Sequence, residues 1–297
     1  MTKQRLLRKE ERLPLFLITP VVAILSAVLL IPGAWSFFIS LHDYTFGYDP
    51  VFVGFKNYIE VLSDPTFINA IILNLWFVFV AVSLEFLLGL AAALLLSKKF
   101  PLHKVWVSLI IAPFAISPVV SVVAWKNLLS ADFGLISYIF SLFGVSTETW
   151  LMDPVTALLI IVIINTWKEF PFTTLILYAA ITTIPVERHE AALVDGASKF
   201  QRFRYVTLPS IMTAIAVALT FRTIFAFRTF DVIWILTQGG PYNSTTILSV
   251  YLYLQSFKFL HLGVGATVGI VMLIFTFLVS AYYLRDLYRQ IMSRGRT

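Results

Sequence analysis

The chain alternates between long apolar runs and short polar connectors. Crossing the hydrocarbon core of a bilayer as a helix takes about 20 apolar residues. Six runs are long enough, and they cover residues 14–41, 68–96, 104–126, 154–181, 209–236 and 262–285. Pro113, Pro118 and Pro171 interrupt two of the runs and are expected to kink them, because neighbouring helices can satisfy the backbone groups that a kink frees. The pattern therefore predicts an all-α membrane protein with six transmembrane helices.

Positive charge is concentrated in alternate connectors. Sixteen Lys and Arg residues lie in the two tails and in the connectors after the second and fourth runs, whereas the other connectors carry only Lys56, Lys126 and Lys258. Loops rich in Lys and Arg stay in the cytoplasm, so both termini and the connector after the fourth run are predicted to be cytoplasmic. The net charge of +6 is thus explained by membrane topology, and no nucleic-acid partner is predicted.

Composition narrows the function further. Of the 297 residues 59% are hydrophobic and 13% are charged, with a mean hydropathy of +0.87, whereas a soluble domain of this size needs a more polar surface. The absence of cysteine excludes disulfides and thiolate metal sites. The sequence contains no G-x-x-x-x-G-K-[ST] phosphate loop, so the chain is not expected to hydrolyse ATP or to act as an enzyme. The first run is too long for a signal peptide and is predicted to be a retained helix.

The connector after the fourth run contains the polar, basic stretch EAALVDGASKFQRFRYVTLP at residues 190–209. Pro185 and the acidic Glu187 and Glu190 favour the start of a helix, and Gly196 favours a bend after it. A second short helix is predicted to lead to Pro209 and the fifth run, giving a cytoplasmic helix-turn-helix. Its physical properties leave two interpretations open, a helix lying on anionic lipid head groups and a docking surface for another protein.

Specific residues of this stretch resemble the EAA loop of ATP-binding-cassette import permeases. Glu-Ala-Ala at 190–192 is followed by Asp-Gly-Ala at 195–197 and by Leu-Pro at 208–209, and the segments FVGFKNYIEVLSDPTF, NTWKEFPF and LTQGGPYNSTTIL are similar to other parts of carbohydrate-type permeases. The resemblance implies a type I importer-like fold, close to the larger maltose-system and glycerol-phosphate-system permease subunits. It also implies that the loop is a coupling helix docked on an ATPase through Glu190, Ala191, Ala192, Asp195, Gly196, Ala197, Phe203, Arg204, Leu208 and Pro209.

The same resemblance implies a function and a set of partners. The function is ATP-driven import of a carbohydrate by alternating access in the bacterial cytoplasmic (inner) membrane. The partners are a second homologous permease, an ATPase dimer that carries ATP and Mg, an external solute-binding protein and membrane lipid, and no cofactor is expected in this chain. Two alternatives are a stand-alone secondary transporter driven by an ion gradient and a scaffold or insertase-like protein, although the internal repeats and coupling-ion sites typical of secondary transporters are not evident.

Several polar residues lie inside the apolar runs, where they are costly and therefore have functional or paired roles. At 1.5 Å per residue Glu169 and Arg222 both fall near mid-membrane and could pair, while Arg228 and Asp231 are close enough on one helix face to pair with each other. Two interpretations stay open, structural ion pairs between helices and a substrate pathway. The residues assigned to the pathway are Asn165, Trp167, Lys168, Glu169, Arg222, Arg228 and Asp231.

The sequence is predicted to divide into four consecutive parts. A basic tail covers residues 1–13, the first helix and its outer loop cover 14–66, a permease core with the coupling loop 185–208 covers 67–290, and a cytoplasmic tail covers 291–297. In the last run Gly263, Gly265 and Gly269 are expected to permit close helix packing.

Overall fold

A computed structural model of the protein describes residues 2–98 and 100–294, with the backbone alone described at 2–17, 282–284 and 286–294. Lys99, Arg296 and the last residues of the predicted C-terminal tail lie outside the described residues. In the described part the fold is helical, with one short antiparallel hairpin between β1 and β2. The first five elements along the chain are α1 (Thr2–Ser40), β1 (His42–Asp43), β2 (Val51–Phe52), α2 (Lys56–Ser63) and α3 (Pro65–Leu96).

The remaining elements are also helices. In the middle of the chain they are α4 (His103–Ala115), α5 (Pro118–Leu128), α6 (Leu135–Ser141), α7 (Pro154–Thr182), α8 (Val186–Val194) and α9 (Lys199–Arg202). A π-helical turn (Phe203–Thr207) then leads into α10 (Leu208–Phe227), and α11 (Asp231–Leu236) and α12 (Leu248–Tyr253) follow. A second π-helical turn (Leu254–Lys258) precedes α13 (Leu262–Arg294).

Five of the described helices are long and apolar enough to cross a membrane, or six spans if the bent pair α4 and α5 counts as one. The bend between α4 and α5 is 98°, so the third predicted span is broken rather than continuous. Pro118 begins α5 and lacks an N–H, and Ser117 before it has the extended ψ of 136° that a following proline favours. The predicted kink at Pro118 is therefore confirmed, and it is sharper than a simple kink.

The fifth span also differs from the prediction. Its helix ends at Phe227 rather than continuing to residue 236, because Arg228 and Phe230 leave helical geometry before α11 begins at Asp231. At its other end the span is longer than predicted, since α9, the π-helical turn and α10 form one continuous helix from Lys199 to Phe227. The second helix of the predicted helix-turn-helix is thus the first part of the fifth span.

Helices α3 and α7, which begin on the predicted outer side, have side-chain caps at their N-termini. Asp64 accepts a hydrogen bond from the Thr66 backbone N–H at the start of α3, and Asp153 accepts from Val155 and Thr156 at the start of α7. The Thr156 backbone N–H lowers the pKa of the Asp153 carboxyl, because the hydrogen bond favours its charged form. Both helices begin with proline immediately after the cap, so their first residues are fixed by local sequence.

The chain divides into two compact units. The first consists of the chain up to Ser63 together with Leu252–Val271. Inside this unit Asn57 Nδ2 donates to the carbonyl oxygens of Ser40 and His42. A side chain at Gly263 would collide with the His42 carbonyl, which agrees with the close packing predicted for that glycine.

The second unit consists of Asp64–Tyr251 and the chain from Met272 onward. Helices α3, α7 and α10 pack together in it. At the end nearest α8 their shared core is apolar and consists of Ala93, Leu177, Ile181, Ile211 and Ile215. One turn from Glu85, a Cβ atom on Gly89 would lie 2.7 Å from the Thr173 side chain, so α3 and α7 approach more closely than larger residues would allow.

Candidate functional site: a buried ion cluster, a polar cavity and an exposed connector

Four charged side chains from α3, α7 and α10 meet inside the second unit. Arg222 Nε donates to Glu85 Oε2 at 2.7 Å and Nη2 donates to Glu85 Oε1 at 3.0 Å. Arg222 Nη1 donates to Glu169 Oε2 at 2.8 Å, and Lys168 Nζ lies 3.6 Å from Glu169 Oε1. Two cations and two anions therefore balance within the cluster, and the predicted Glu169–Arg222 pair is present.

The burial of this cluster makes its pairing obligatory. The side chain of Glu85 is fully buried and that of Arg222 is 3% exposed, whereas Glu169 keeps 21% of its side-chain area accessible. Removing one partner of a buried pair leaves an uncompensated charge at a cost of about 3–5 kcal/mol. Arg222 can satisfy both carboxylates because its planar guanidinium carries five N–H donors in a fixed fork.

Glu85 is not among the predicted pathway residues, yet it is central to the cluster. Besides Arg222, its Oε1 accepts a hydrogen bond from Asn165 Nδ2 at 3.0 Å. A single carboxylate inside the 32-residue apolar helix α3 was the available signal, because an isolated charge in a membrane span needs a partner. The sequence did not identify the partner, which is 137 residues away.

A small polar cavity lies beside the cluster. Its volume is about 120 Å³, and five of the predicted pathway residues line it: Asn165, Lys168, Glu169, Arg228 and Asp231. The break between α10 and α11 brings the last two residues to this cavity. In the part of the chain that the structure describes, no ion pair within 4.0 Å joins Arg228 to Asp231, so the suggested pairing between them is not formed.

Two predicted pathway residues do not line this cavity. Arg222 is buried behind it, in contact with Glu85 and Glu169. Trp167 is half-buried and packs edge-on against Trp125, with ring centroids 5.4 Å apart. The structure thus separates the predicted set into cavity-lining residues, one residue of the buried cluster and one packed aromatic ring.

The connector between the fourth and fifth spans is highly exposed. Helix α8 has no buried residue, and the connector presents large apolar side chains to solvent: Val186, Leu193, Val194, Phe200 and Tyr205. Gly196 ends the helix with a φ of +76°, and nothing lies within 4 Å of the position where its Cβ would be. The predicted bend at Gly196 is therefore present, and its surroundings are open.

The residues predicted to couple to another protein occupy both helices of this connector. Glu190, Ala191, Asp195, Gly196, Arg204 and Pro209 are exposed, and Ala192, Ala197, Phe203 and Leu208 are half-buried. Ala191, Ala192, Asp195 and Pro209 also line a groove of about 810 Å³ between α8 and the start of the fifth span. Ser198 caps the second helix through a capping box with Gln201, so the turn between the two helices is locally defined.

These features define a helical membrane protein with a charged polar centre and a structured, apolar surface at one end of its spans. Residues 85–290 match the family described as "Binding-protein-dependent transport system inner membrane component". This match covers more than half of the chain, and the chain belongs to that family.

Relatives match along almost the full length. The "Trehalose/maltose transport system permease protein MalF" of Thermococcus litoralis is 37% identical over 281 residues, which is 93% of this chain and 94% of the relative. The "Sulfoquinovosyl glycerol transport system permease protein SmoG" of Agrobacterium fabrum is 32% identical over 279 residues, covering 93% and 90% of the two chains. Both matches therefore cover at least 90% of each of the two chains compared.

Solved structures share the fold. A chain of a bacterial ABC transporter involved in the import of the acidic polysaccharide alginate superposes with a TM-score of 0.81 at 22% identity, covering 96% of this chain and 99% of the other. A chain of the MetNI methionine ABC transporter in an inward-facing conformation gives a TM-score of 0.57 at 18% identity, covering 79% and 98%. The importer-permease fold expected from the sequence is confirmed.

Proposed function

We propose that the protein is the membrane-spanning permease subunit of an ATP-driven importer that moves a carbohydrate across the cytoplasmic membrane by alternating access. The observation that carries this proposal is the full-length match to a permease of a trehalose/maltose transport system. A second sugar-related permease among the relatives supports the same substrate class. The polar cavity and the exposed connector give this activity a physical basis in the chain.

The exposed connector would bind an ATPase subunit. Its apolar side chains, of which Val194 is 88% exposed, lie on the helices at both sides of a turn, and hydrogen bonds between Ser198 and Gln201 define the start of the second helix. Exposed apolar surface with a polar rim is typical of protein-binding sites. ATP and Mg would be bound by that partner. Closure of an ATPase dimer would move the connector, and the fifth span would move with it, because the second connector helix is continuous with that span.

The cavity would bind hydroxyl groups of the carbohydrate. Lys168 and Arg228 supply N–H donors, whereas Glu169, Asp231 and the Asn165 amide oxygen supply acceptors. A sugar hydroxyl both donates and accepts, so a site with both kinds of group matches it, and the charges of the lining residues cancel. Trp167 would support the wall through Trp125 rather than stack on the sugar.

Further subunits are part of the proposal. The charge asymmetry of the connectors favours a cytoplasmic position for α8 and both termini, and in that orientation the opposite ends of the spans would face an external solute-binding protein. A solved alginate ABC transporter, whose chain has a TM-score of 0.81 with this one, is in complex with a periplasmic protein. Spans of one chain would form half of the pathway, and a second homologous permease would complete it within the lipid bilayer.

Replacing Gly196 by Trp tests the ATPase-binding surface. Nothing in this chain lies within 4 Å of the position of a Cβ on Gly196, so a large side chain there is expected to obstruct a partner that approaches the connector. The matched control is Gly144→Trp, because Gly144 also has a positive φ of +74° and open surroundings but lies on the other side of the spans. We expect Gly196→Trp to lose co-purification of an ATPase and uptake of radiolabelled maltose, while membrane insertion is unchanged.

The control separates the effect of the surface from backbone strain. Gly144→Trp is expected to keep the ATPase and to transport maltose within about twofold of the unmodified protein, because exposed loops tolerate substitution. Maltose uptake that persists in Gly196→Trp with the ATPase still bound would refute the proposed coupling surface. Uptake that requires an ion gradient and no ATPase would identify a secondary transporter instead.

A further inference from the structure

The buried cluster and the polar cavity contain different residues that touch one another. Asn165, Lys168 and Glu169 line the cavity, whereas Glu85 and Arg222 do not. Glu85 and Arg222 have relative exposures of 0% and 2%, so no ligand in the cavity can reach them directly. Each of them is nevertheless hydrogen-bonded to a side chain that does line the cavity.

Glu85 fixes the orientation of the Asn165 amide. A carboxylate can only accept hydrogen bonds, so the Asn165 nitrogen must face Glu85 Oε1, and it does at 3.0 Å. The amide oxygen then points away from Glu85 and is available to a ligand as an acceptor. A neutral side chain at position 85 would remove this restriction, because an amide there could bond to either atom of Asn165.

Arg222 fixes Glu169 in the same way. Its Nη1 donates to Glu169 Oε2 at 2.8 Å, while Nε and Nη2 are both held by Glu85. Glu169 Oε1 remains on the side of Lys168 and lies 3.6 Å from Lys168 Nζ. The position of Glu169, and through it that of the Lys168 ammonium, therefore depends on a guanidinium whose own position is set by Glu85.

We infer that Glu85 and Arg222 are positioning residues for carbohydrate transport, which set the hydrogen-bonding atoms that Asn165, Glu169 and Lys168 present to the cavity. The inference rests on the proposed function, because it takes the cavity as the carbohydrate site. Glu85 also keeps the cluster neutral, so the cavity wall favours an uncharged sugar over an anionic one.

The experiment is a double-mutant cycle on the assembled importer in proteoliposomes. The variants are Glu85→Gln, Asn165→Ala and the double variant, and the measured quantity is radiolabelled maltose imported per ATP hydrolysed. We expect each single variant to lower this ratio about tenfold, the effect of misplacing one hydrogen bond to a charged group. The double variant is expected to lie within about twofold of the lower single variant, since Glu85 acts through Asn165.

A matched control separates positioning from stability. Gly89→Ala changes the same helix one turn away and disturbs the contact between α3 and α7 without lining the cavity. It is expected to lower the thermal midpoint of the complex while leaving maltose imported per ATP unchanged. Stability alone would lower uptake and ATP hydrolysis together, so it does not change their ratio.

The outcomes of the double-mutant cycle test the positioning role of Glu85. An unchanged ratio in Glu85→Gln, or losses that multiply in the double variant, would overturn the positioning role. If Glu85→Gln does not assemble, Glu85→Asp, which keeps the charge and shortens the side chain, replaces it in the cycle. Failure of both variants to assemble would assign Glu85 to folding alone. Unmodified importer that hydrolyses ATP but moves neither maltose nor any other supplied carbohydrate would instead refute the proposed function of this chain.

Discussion

At the scale of single residues, Arg222 is the charge whose loss should cost most. It is 2% exposed and satisfies two carboxylates, so Arg222→Met would leave Glu85 and Glu169 close together and without their guanidinium. We expect a loss of about 3–5 kcal/mol in the free energy of unfolding. The measurement is the thermal midpoint of the detergent-solubilised protein, followed by fluorescence-detected size exclusion of a tagged chain.

The control for this prediction is an ion pair on the surface. Lys56 and Glu60 lie four residues apart at 3.6 Å, and their side chains are 61% and 55% exposed. Exposed pairs contribute about 0–1 kcal/mol, so Lys56→Met should leave the midpoint nearly unchanged. Equal shifts in the two variants would mean that the buried cluster is hydrated and weakly coupled.

The sequence located three of the four charged residues of this cluster but not their arrangement. Lys168, Glu169 and Arg222 stood out, together with the neighbouring Asn165, because polar groups in apolar runs need partners. The rise per residue correctly matched the depths of Glu169 and Arg222. Depth says nothing about the direction of a side chain around its helix, and for that reason Arg222 was assigned to the pathway rather than behind it.

At the scale of helices, the contact of α3 with α7 depends on Gly89. A Cβ atom there would lie 2.7 Å and 2.8 Å from two atoms of Thr173, and a β-branched side chain on a helix moves aside poorly. We expect Gly89→Ala to destabilise the protein by about 1–3 kcal/mol, the cost of overpacking. The thermal midpoint measures the change.

Gly33→Ala provides the comparison, because α1 has open space around Gly33. Alanine favours helix over glycine by about 0.5–1 kcal/mol, so this variant should be neutral or slightly more stable. A Gly89→Ala protein as stable as Gly33→Ala would show that the two helices can separate at no cost.

Helix boundaries followed local sequence signals where such signals exist. Asp64 and Asp153, each followed by proline, fixed the starts of α3 and α7 within a few residues of the predicted runs. The end of the fifth span carries no proline or glycine between Phe227 and Asp231, and its only local signal is the polar residues Arg228, Thr229 and Asp231. The prediction there was too long because polar residues inside an apolar run do not by themselves show where a helix ends.

At the scale of the whole molecule, sidedness can be measured directly. The chain has no cysteine, so each single-cysteine variant has one reactive site. Val194 in the connector is 88% exposed and Tyr242 in the loop before α12 is 96% exposed. We expect a membrane-impermeant maleimide to label Tyr242→Cys in intact cells and Val194→Cys only after permeabilisation. The opposite labelling would invert the predicted orientation and remove the connector from any cytoplasmic ATPase.

The sequence by itself determined the class of the protein, its helical spans, their predicted orientation and the connector motif. These are properties of composition, periodicity and short-range spacing, which the linear order of residues contains. The tertiary structure alone decided that Glu85 holds Arg222 and Asn165, that α4 turns by 98° into α5, and that the fifth span stops at Phe227 to bring Arg228 and Asp231 to the cavity. The physical reason is that pairing between charges far apart in sequence depends on how each helix is rotated against its neighbours, and an almost uniformly apolar helix surface does not specify that rotation.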